Sequence, residues 1–67
     1  MPYYVVRNPA GLFVGPGSPA AFGRDAAAAR RFGSASEARA FVAQRFASRA
    51  DDFQVCEVGE AGRLLLA

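Results

Sequence analysis

The segment Ser34–Arg49 constrains the fold more than any other part of the chain, because it carries the clearest helical signal. It opens with the Ser-x-x-Glu spacing of a capping box. In such a box the Ser34 hydroxyl accepts from the amide three residues on, and Glu37 accepts from the amide of Ser34. No Gly or Pro follows before Arg49, and Ala, Arg, Gln and Glu are good helix formers. We therefore predict a helix from Ser34 that ends between Ser48 and Ala50.

One side of this helix is apolar. At 100° per residue its stripe holds Ala35, Ala38, Val42 and Phe46, with Phe41 at the border. Arg45 and Arg49 project inside the same arc, and two interpretations stay open. Either their aliphatic stems cover the core while the guanidinium groups remain in water, or they form a basic patch beside an apolar one, which suits an acidic partner.

The N-terminal residues have the composition of a β-hairpin. Tyr3–Val6 is rich in aromatic and β-branched residues, which favour strands. Asn8–Gly11 has Asn, Pro and Gly at the positions that a type I turn favours, and Leu12–Val14 returns as a second strand. Because side chains alternate along a strand, we expect one face of the hairpin to pack on the helix and the other to be partly wet.

The region between the hairpin and the helix carries weaker signals. Gly15–Pro19 is predicted to be a loop, and it lacks the Gly-Lys-Ser ending of a phosphate-binding loop. Phe22 is expected to insert into the core. Asp25–Phe32 is compatible with a short helix capped by Asp25 or with an extended segment. In both cases we expect Phe32 to be buried and Arg30 and Arg31 to be solvated.

A further strand is expected after the helix. Within Asp52–Val58, Phe53 and Val55 share one face, while Cys56 and Val58 share the other. This mixed pattern predicts a strand with both faces partly covered, or one that contains a bulge.

Three consecutive leucines, Leu64, Leu65 and Leu66, follow a turn predicted at Gly59–Gly62. Left uncovered, they would form an exposed apolar patch. Two alternatives stay open. The segment Arg63–Ala67 either pairs within the chain as a hairpin strand, or pairs with its copy in a homodimer related by a two-fold axis.

Together these elements predict a single small domain over residues 1–67 of the α+β class, in the order ββαβ(β). One main helix packs on one face of a small antiparallel sheet. A chain this short buries only about 60% of the surface of its unfolded form, so its stability is marginal. The expected core consists of Tyr4, Val6, Phe13, Phe22, Phe32, Ala38, Val42, Phe46, Phe53 and Val55.

The composition excludes most catalytic chemistry. The chain has no His and one Cys, so acid–base catalysis would depend on Asp, Glu, Tyr or Cys. Cys56 has no His to lower its pKa, and carboxylates alone bind only hard cations, weakly. We expect no enzymatic activity, no cofactor and no metal. The lack of a signal-peptide pattern and of a long apolar run favours a cytoplasmic protein that does not bind membranes.

All eight basic residues are Arg, and the net charge is +2. The candidates for partner binding are Arg30, Arg31, Arg39, Arg45 and Arg49. A protein partner is the first expectation. Binding of nucleic acid through the same residues and Arg24 is the alternative, since basic patches beside aromatics serve that role. An Arg-rich and Ala-rich composition is typical of a GC-rich genome, which weakens any claim that Arg was selected for phosphate recognition.

Four motifs follow one another along the chain. They are a Tyr-Val hairpin with a Gly turn (Tyr3–Val14), an Ala-x-x-Phe step (Ala29–Phe32), a Ser-x-x-Glu-Ala helix start (Ser34–Ala38) and a Phe-x-Val-x-x-Val strand (Phe53–Val58). In this order they resemble a group of short, uncharacterised bacteriophage and prophage proteins. Phe22 is a looser match to the aromatic residue that precedes the Ala-x-x-Phe step.

The proteins of this group share no known activity, so the resemblance implies none for this chain. Some small phage proteins of this size block bacterial defence complexes, and anti-CRISPR proteins are among them. We therefore expect an accessory protein of a phage or mobile element that binds and occludes a larger protein partner.

Overall fold

The structure, a computed structural model, describes residues 2–17, 21–59 and 62–66, which form an antiparallel sheet with one main helix across one face. The strands are β1 (Tyr3–Arg7), β2 (Phe13–Val14), β3 (Phe22–Gly23), β4 (Gln54–Val58) and β5 (Leu64–Leu66). The helix is α1 (Ala35–Arg45), and 3₁₀ segments span Ala26–Ala28 and Ala47–Asp52. The spatial order of the strands is β3-β2-β1-β4-β5. The predicted α+β class is confirmed, and β3 adds a strand to the predicted ββαβ(β) order.

The turn between β1 and β2 is held by Asn8. Its backbone oxygen accepts from the amide of Gly11 at 3.0 Å, and its Oδ1 accepts from the amides of Ala10 at 3.0 Å and Leu12 at 2.9 Å. Gly11 has a φ of +84°, in the left-handed region that glycine adopts without a steric penalty. The predicted hairpin is confirmed, with its second strand confined to Phe13–Val14.

The start of α1 is capped by Ser34, as predicted. The Ser34 Oγ accepts from the amide of Glu37 at 3.1 Å. The reciprocal bond differs from the prediction, because Glu37 Oε2 accepts from the amide of Gly33 at 3.2 Å and not from that of Ser34. The carboxylate therefore satisfies a backbone donor one residue earlier in the chain than in a standard capping box.

The end of α1 lies at Arg45, earlier than the predicted end at residues 48–50. Phe46 leaves the helical conformation with a φ of −132° and a ψ of 43°, and its ring stacks on that of Phe53 with the centroids 4.5 Å apart. Packing of this aromatic pair outweighs the helix propensity of the residues that follow. Ala47–Asp52 instead forms 3₁₀ structure that is interrupted at Arg49, whose φ of −132° and ψ of 18° are not helical.

The central strands bury both of their faces. Val5 and Val6 are consecutive in β1, so their side chains point to opposite faces, and both are fully buried. The cluster beneath α1 contains Val6, Val14, Phe32, Ala38 and Val42. The cluster on the other face contains Val5, Phe13, Ala29, Cys56 and Val58. The second face is therefore covered at Val5, while Tyr3 on the same face stays partly exposed, so the expectation of a partly wet face holds at Tyr3 only.

The second face is covered by residues 25–32, which we call the strap. Asp25 caps the 3₁₀ helix Ala26–Ala28 with its side chain. The strap then becomes extended, and Phe32 exchanges two backbone hydrogen bonds with Tyr4, of 2.8 and 2.9 Å. The two alternatives for this segment thus occur one after the other. Phe32 is buried, as predicted.

Two phenylalanines differ from their predicted positions. The placement of Phe22 in the core is wrong, since Phe22 is 41% exposed. It pairs with Val14 from the two-residue outer strand β3, where the ring reaches only the margin of the core near Phe46. Phe13 is buried, but on the face opposite α1, because the register of β1 and β2 pairs it with Arg7. The core residues that the prediction omitted are Val5, Val14, Ala29, Cys56 and Val58. The predicted core residues that are only partly buried, against the cluster beneath α1, are Tyr4, Phe46, Phe53 and Val55.

The C-terminal leucines form β5 within the chain, so the hairpin that was predicted as one alternative is present. β5 runs antiparallel to β4, with Leu65 opposite Glu57. Gly62 in the preceding turn has a φ of +74°, and its amide donates to the oxygen of Gly59 at 3.1 Å. The parts of the predicted loops and terminal segment at residues 18–19, 60–61 and 67 lie outside the described residues.

Alanine substitutions at Phe46 and Phe22 distinguish the two aromatic environments. Phe46 is half-buried and contacts three other rings. Phe46→Ala should therefore cost about 2–3 kcal/mol, somewhat less than the loss of a fully buried Phe. Phe22→Ala removes a ring that is 41% exposed and should cost less, about 1–2 kcal/mol. Urea unfolding followed by circular dichroism measures both costs, and equal losses would contradict the marginal position of Phe22.

Candidate functional site

Metal binding and thiol chemistry place separate requirements on the described residues. No group of three or more His, Cys, Asp or Glu among residues 2–17, 21–59 and 62–66 could hold a metal ion. Cys56 is free and buried. Burial raises the pKa of its thiol, and the charge of Arg7 opposes this shift in part. A buried thiol that stays protonated is a poor nucleophile.

The fold does assemble arginine and phenylalanine side chains around the ring of Phe41, on one side of α1. The guanidinium carbon of Arg30 lies 4.8 Å from the centroid of this ring, and that of Arg45 lies 5.7 Å from it. Phe32 packs against the same ring with a centroid separation of 5.2 Å. Arg30 belongs to the strap and Arg45 to the last turn of α1, so tertiary folding brings together arginines that are distant in sequence.

Arg30 is held in place more firmly than Arg45. Its amide donates to the oxygen of Val14 at 2.9 Å, and its guanidinium also lies 5.7 Å from the ring centroid of Phe32. The Arg30 side chain is half-buried, whereas that of Arg45 is exposed. A guanidinium that stacks its face on a ring keeps N–H groups at its edge for carboxylates or phosphates. The pair can therefore bind anionic groups without leaving the ring of Phe41.

The same surface extends past Phe41 to the end of α1. The ring centroid of Phe46 lies 6.2 Å from that of Phe41 and 6.2 Å from that of Phe22. A cleft of about 350 Å³ adjoins these rings, lined by Phe22, Phe46, Phe53 and Arg49 with the turn residues Asn8, Pro9 and Ala10. We call Arg30, Phe41, Arg45 and this cleft the Arg–Phe surface.

The remaining candidate arginines lie elsewhere. Arg31 is on the face opposite α1, with its guanidinium carbon 4.4 Å from the ring centroid of Tyr3. Arg39 lines a groove of about 530 Å³ between α1 and β4, in which Asp51 supplies the opposite charge. Arg24 is exposed next to β3. The structure thus brings three of the five predicted partner-binding arginines onto one surface.

The second candidate surface is the outer edge of β5. Leu64, Leu65 and Leu66 are 39%, 57% and 68% exposed, although they belong to the sheet. β5 stands last in the strand order, so no strand in the described part of the chain covers its outer edge. The leucines proposed from sequence as a dimer contact therefore form an apolar edge at the surface.

The chain matches no family model, no curated protein and no solved structure. Within the described ranges, the helices are too short or too polar to cross a lipid bilayer. The function is therefore inferred from the two surfaces and from the motifs of the sequence.

Sequence reasoning missed Phe22 as a surface residue, and it missed the contact of Arg30 with the ring of Phe41. A signal for Phe22 was present, because it stands between Ala21 and Gly23 without the alternating apolar neighbours of a core strand. The contact between Arg30 and Phe41 had no local signal, since it depends on the long-range pairing of the strap with β1 and β2.

The buried thiol gives a direct test of the packing on the face opposite α1. Native protein should react with a thiol reagent at pH 8 at least ~100-fold more slowly than protein in urea, because Cys56 is 2% exposed and its pKa is raised. Rapid labelling of the native protein would contradict this packing.

The raised pKa of Cys56 also makes the stability of the fold depend on pH. The folded chain keeps the Cys56 proton longer than the unfolded chain, so stability should fall as the pH rises past the ordinary thiol pKa of about 8.5. Urea midpoints at neutral and alkaline pH measure this loss. Cys56→Ala is the control, since it should remove the part of the pH dependence that the thiol causes.

Proposed function

We propose that this protein is a non-enzymatic binding module whose Arg–Phe surface docks on an acidic surface of a larger protein and occludes the site beneath it. The observation that carries the proposal is the convergence of Arg30 and Arg45 on the ring of Phe41. Arg and aromatic residues are enriched among the side chains that dominate binding energy at protein interfaces. Partner carboxylates would bind the guanidinium edges, while the phenylalanine rings cover apolar area.

The distribution of charge supports an acidic partner. Seven of the eight arginines lie before residue 51, while four of the six acidic residues lie at or after it. Among the described residues that line the cleft of the Arg–Phe surface, Arg49 carries the only charge. Charge complementarity of this kind raises association rates and disfavours wrong partners.

We further propose that the protein has an accessory role in a phage or mobile genetic element. It is supported by the four motifs that resemble short phage and prophage proteins. Occlusion of a bacterial defence complex, in the manner of an anti-CRISPR protein, is the form of binding that we propose for it. Such a partner places the protein in the cytoplasm.

A charge reversal tests the Arg–Phe surface once affinity capture from a bacterial lysate and mass spectrometry have identified the partner. Arg45→Glu places a carboxylate beside Phe41, and it should weaken binding by roughly 100-fold because it repels an acidic partner at the centre of the contact. The side chain is exposed, so the fold should be retained.

Arg39→Glu is the matched control, since it makes the same charge change on the same helix but outside the Arg–Phe surface. Its binding should stay within about threefold of the wild type. Unimpaired binding by Arg45→Glu, or equal losses for the two variants, would contradict the proposed surface.

Nucleic-acid binding is the second candidate function, and the exposed ring of Phe22 near Arg49 favours it. Aromatic rings beside basic groups form stacking platforms for single-stranded nucleic acid. Fluorescence anisotropy with a labelled single-stranded oligonucleotide tests this alternative. Phosphate contacts would give an affinity that falls steeply with salt, and Phe22→Ala would reduce it. If the oligonucleotide does not bind even at low salt, the nucleic-acid alternative is wrong.

A further inference from the structure

Apart from its short length, the outer edge of β5 lacks the features that usually protect an edge strand. Besides being short, natural edges carry charged side chains, Pro or a bulge that prevents pairing with another chain. β5 consists of Leu64, Leu65 and Leu66 alone, and all three are exposed. An apolar, regular edge of this kind is suited to receive another strand.

The hydrogen-bonding pattern shows which groups this edge offers. The amide of Gly59 donates to the oxygen of Arg63 at 2.9 Å, so these residues form a hydrogen-bonded pair of the antiparallel ladder. Hydrogen-bonded pairs alternate with non-hydrogen-bonded pairs, so Glu57 and Leu65 form the next hydrogen-bonded pair. Leu64 and Leu66 therefore direct their amides and oxygens outward, away from β4.

We propose that β5 pairs with β5 of a second copy of this chain about a two-fold axis at Leu65. In this register Leu64 of each copy lies opposite Leu66 of the other, and the two residues exchange both hydrogen bonds. The outward N–H and C=O groups of Leu64 and Leu66 then all form hydrogen bonds. Each edge is therefore complementary to its own copy, and the two sheets join into one continuous antiparallel sheet.

Charge complementarity around the axis favours a second copy as the occupant. Arg63, Leu65 and Glu57 share one face of the sheet, because side chains alternate along strands and paired residues point the same way. With ordinary strand spacing, Arg63 of one copy lies about 12 Å from Glu57 of the other, measured between Cα atoms. Two arginines and two glutamates therefore surround the Leu65 pair, with opposite charges adjacent.

The contact is small, which sets its expected strength. Pairing of two three-residue strands covers a few hundred Å² on each chain, against about 800 Å² per partner in a standard interface. We therefore infer a reversible dimer that forms at micromolar or higher concentration. Dimer formation is independent of the Arg–Phe surface, and it holds or fails separately from the proposed function.

Disulfide trapping tests the register. The two Leu65 residues form a non-hydrogen-bonded pair with Cα atoms about 4.5 Å apart, a distance that a disulfide spans. Leu65→Cys should therefore give a covalent dimer under mild oxidation, seen on a non-reducing gel. The two Leu64 Cα atoms lie about 8 Å apart across the axis, beyond disulfide reach. Leu64→Cys should cross-link at least ~10-fold more slowly than Leu65→Cys.

The wild-type chain is the background control, because its cysteine, Cys56, is buried and should not cross-link. Light scattering of the wild type over a range of concentrations gives the second readout, with an expected rise from monomer to dimer mass. A monomer mass at all concentrations up to about 1 mM would overturn the proposal. So would cross-linking of Leu64→Cys that is as fast as that of Leu65→Cys.

Discussion

The fold depends on one constraint: β1 has two consecutive residues, Val5 and Val6, that are both fully buried. Because neighbouring side chains in a strand point to opposite faces, β1 must be covered on both sides. Among residues 2–17, 21–59 and 62–66 there is one main helix, α1, and it covers only the Val6 face. The strap therefore has to cross the other face, and its extended end has to return to the sheet at Tyr4 before α1 begins. The order of the elements follows from this requirement.

The same constraint explains why Phe22, Phe41 and Phe46 lie at the margins. The interior on the two sides of β1 holds one buried ring each, Phe13 and Phe32, and otherwise small or medium-sized residues. Ala29 and Ala38 let the strap and α1 approach the sheet closely, so Phe41 and Phe46 lie half-buried at the sides and end of α1. There they stabilise the fold with their inner faces and contact arginines or solvent with their outer parts. A surface suited to binding thus arises from the way a very small core is packed.

Features that depend on local sequence could be predicted, and features that depend on long-range contacts could not. The Ser34 cap and the turn at Asn8 are set by side chains that bond to backbone groups within four residues. The end of α1 and the face of Phe13 are decided by tertiary packing and by the β1–β2 register. The sequence identified Arg30 and Arg45 as candidate binding residues, but their meeting at one ring required the strap to fold back beside α1.

The two proposed surfaces lie at opposite ends of the strand order, and this bears on how they would act together. The Arg–Phe surface adjoins β2 and β3, whereas the dimer edge is β5. A two-fold axis perpendicular to the joined sheet keeps both copies of α1 on the same side. Neither copy would then cover the other's Arg–Phe surface, and both surfaces would face one partner assembly.

Two weak contacts presented in this way bind a repetitive or symmetric target far more tightly than one, because the second contact forms at high effective concentration. For a chain whose single surface is small, dimerisation through β5 would therefore add affinity without enlarging the domain.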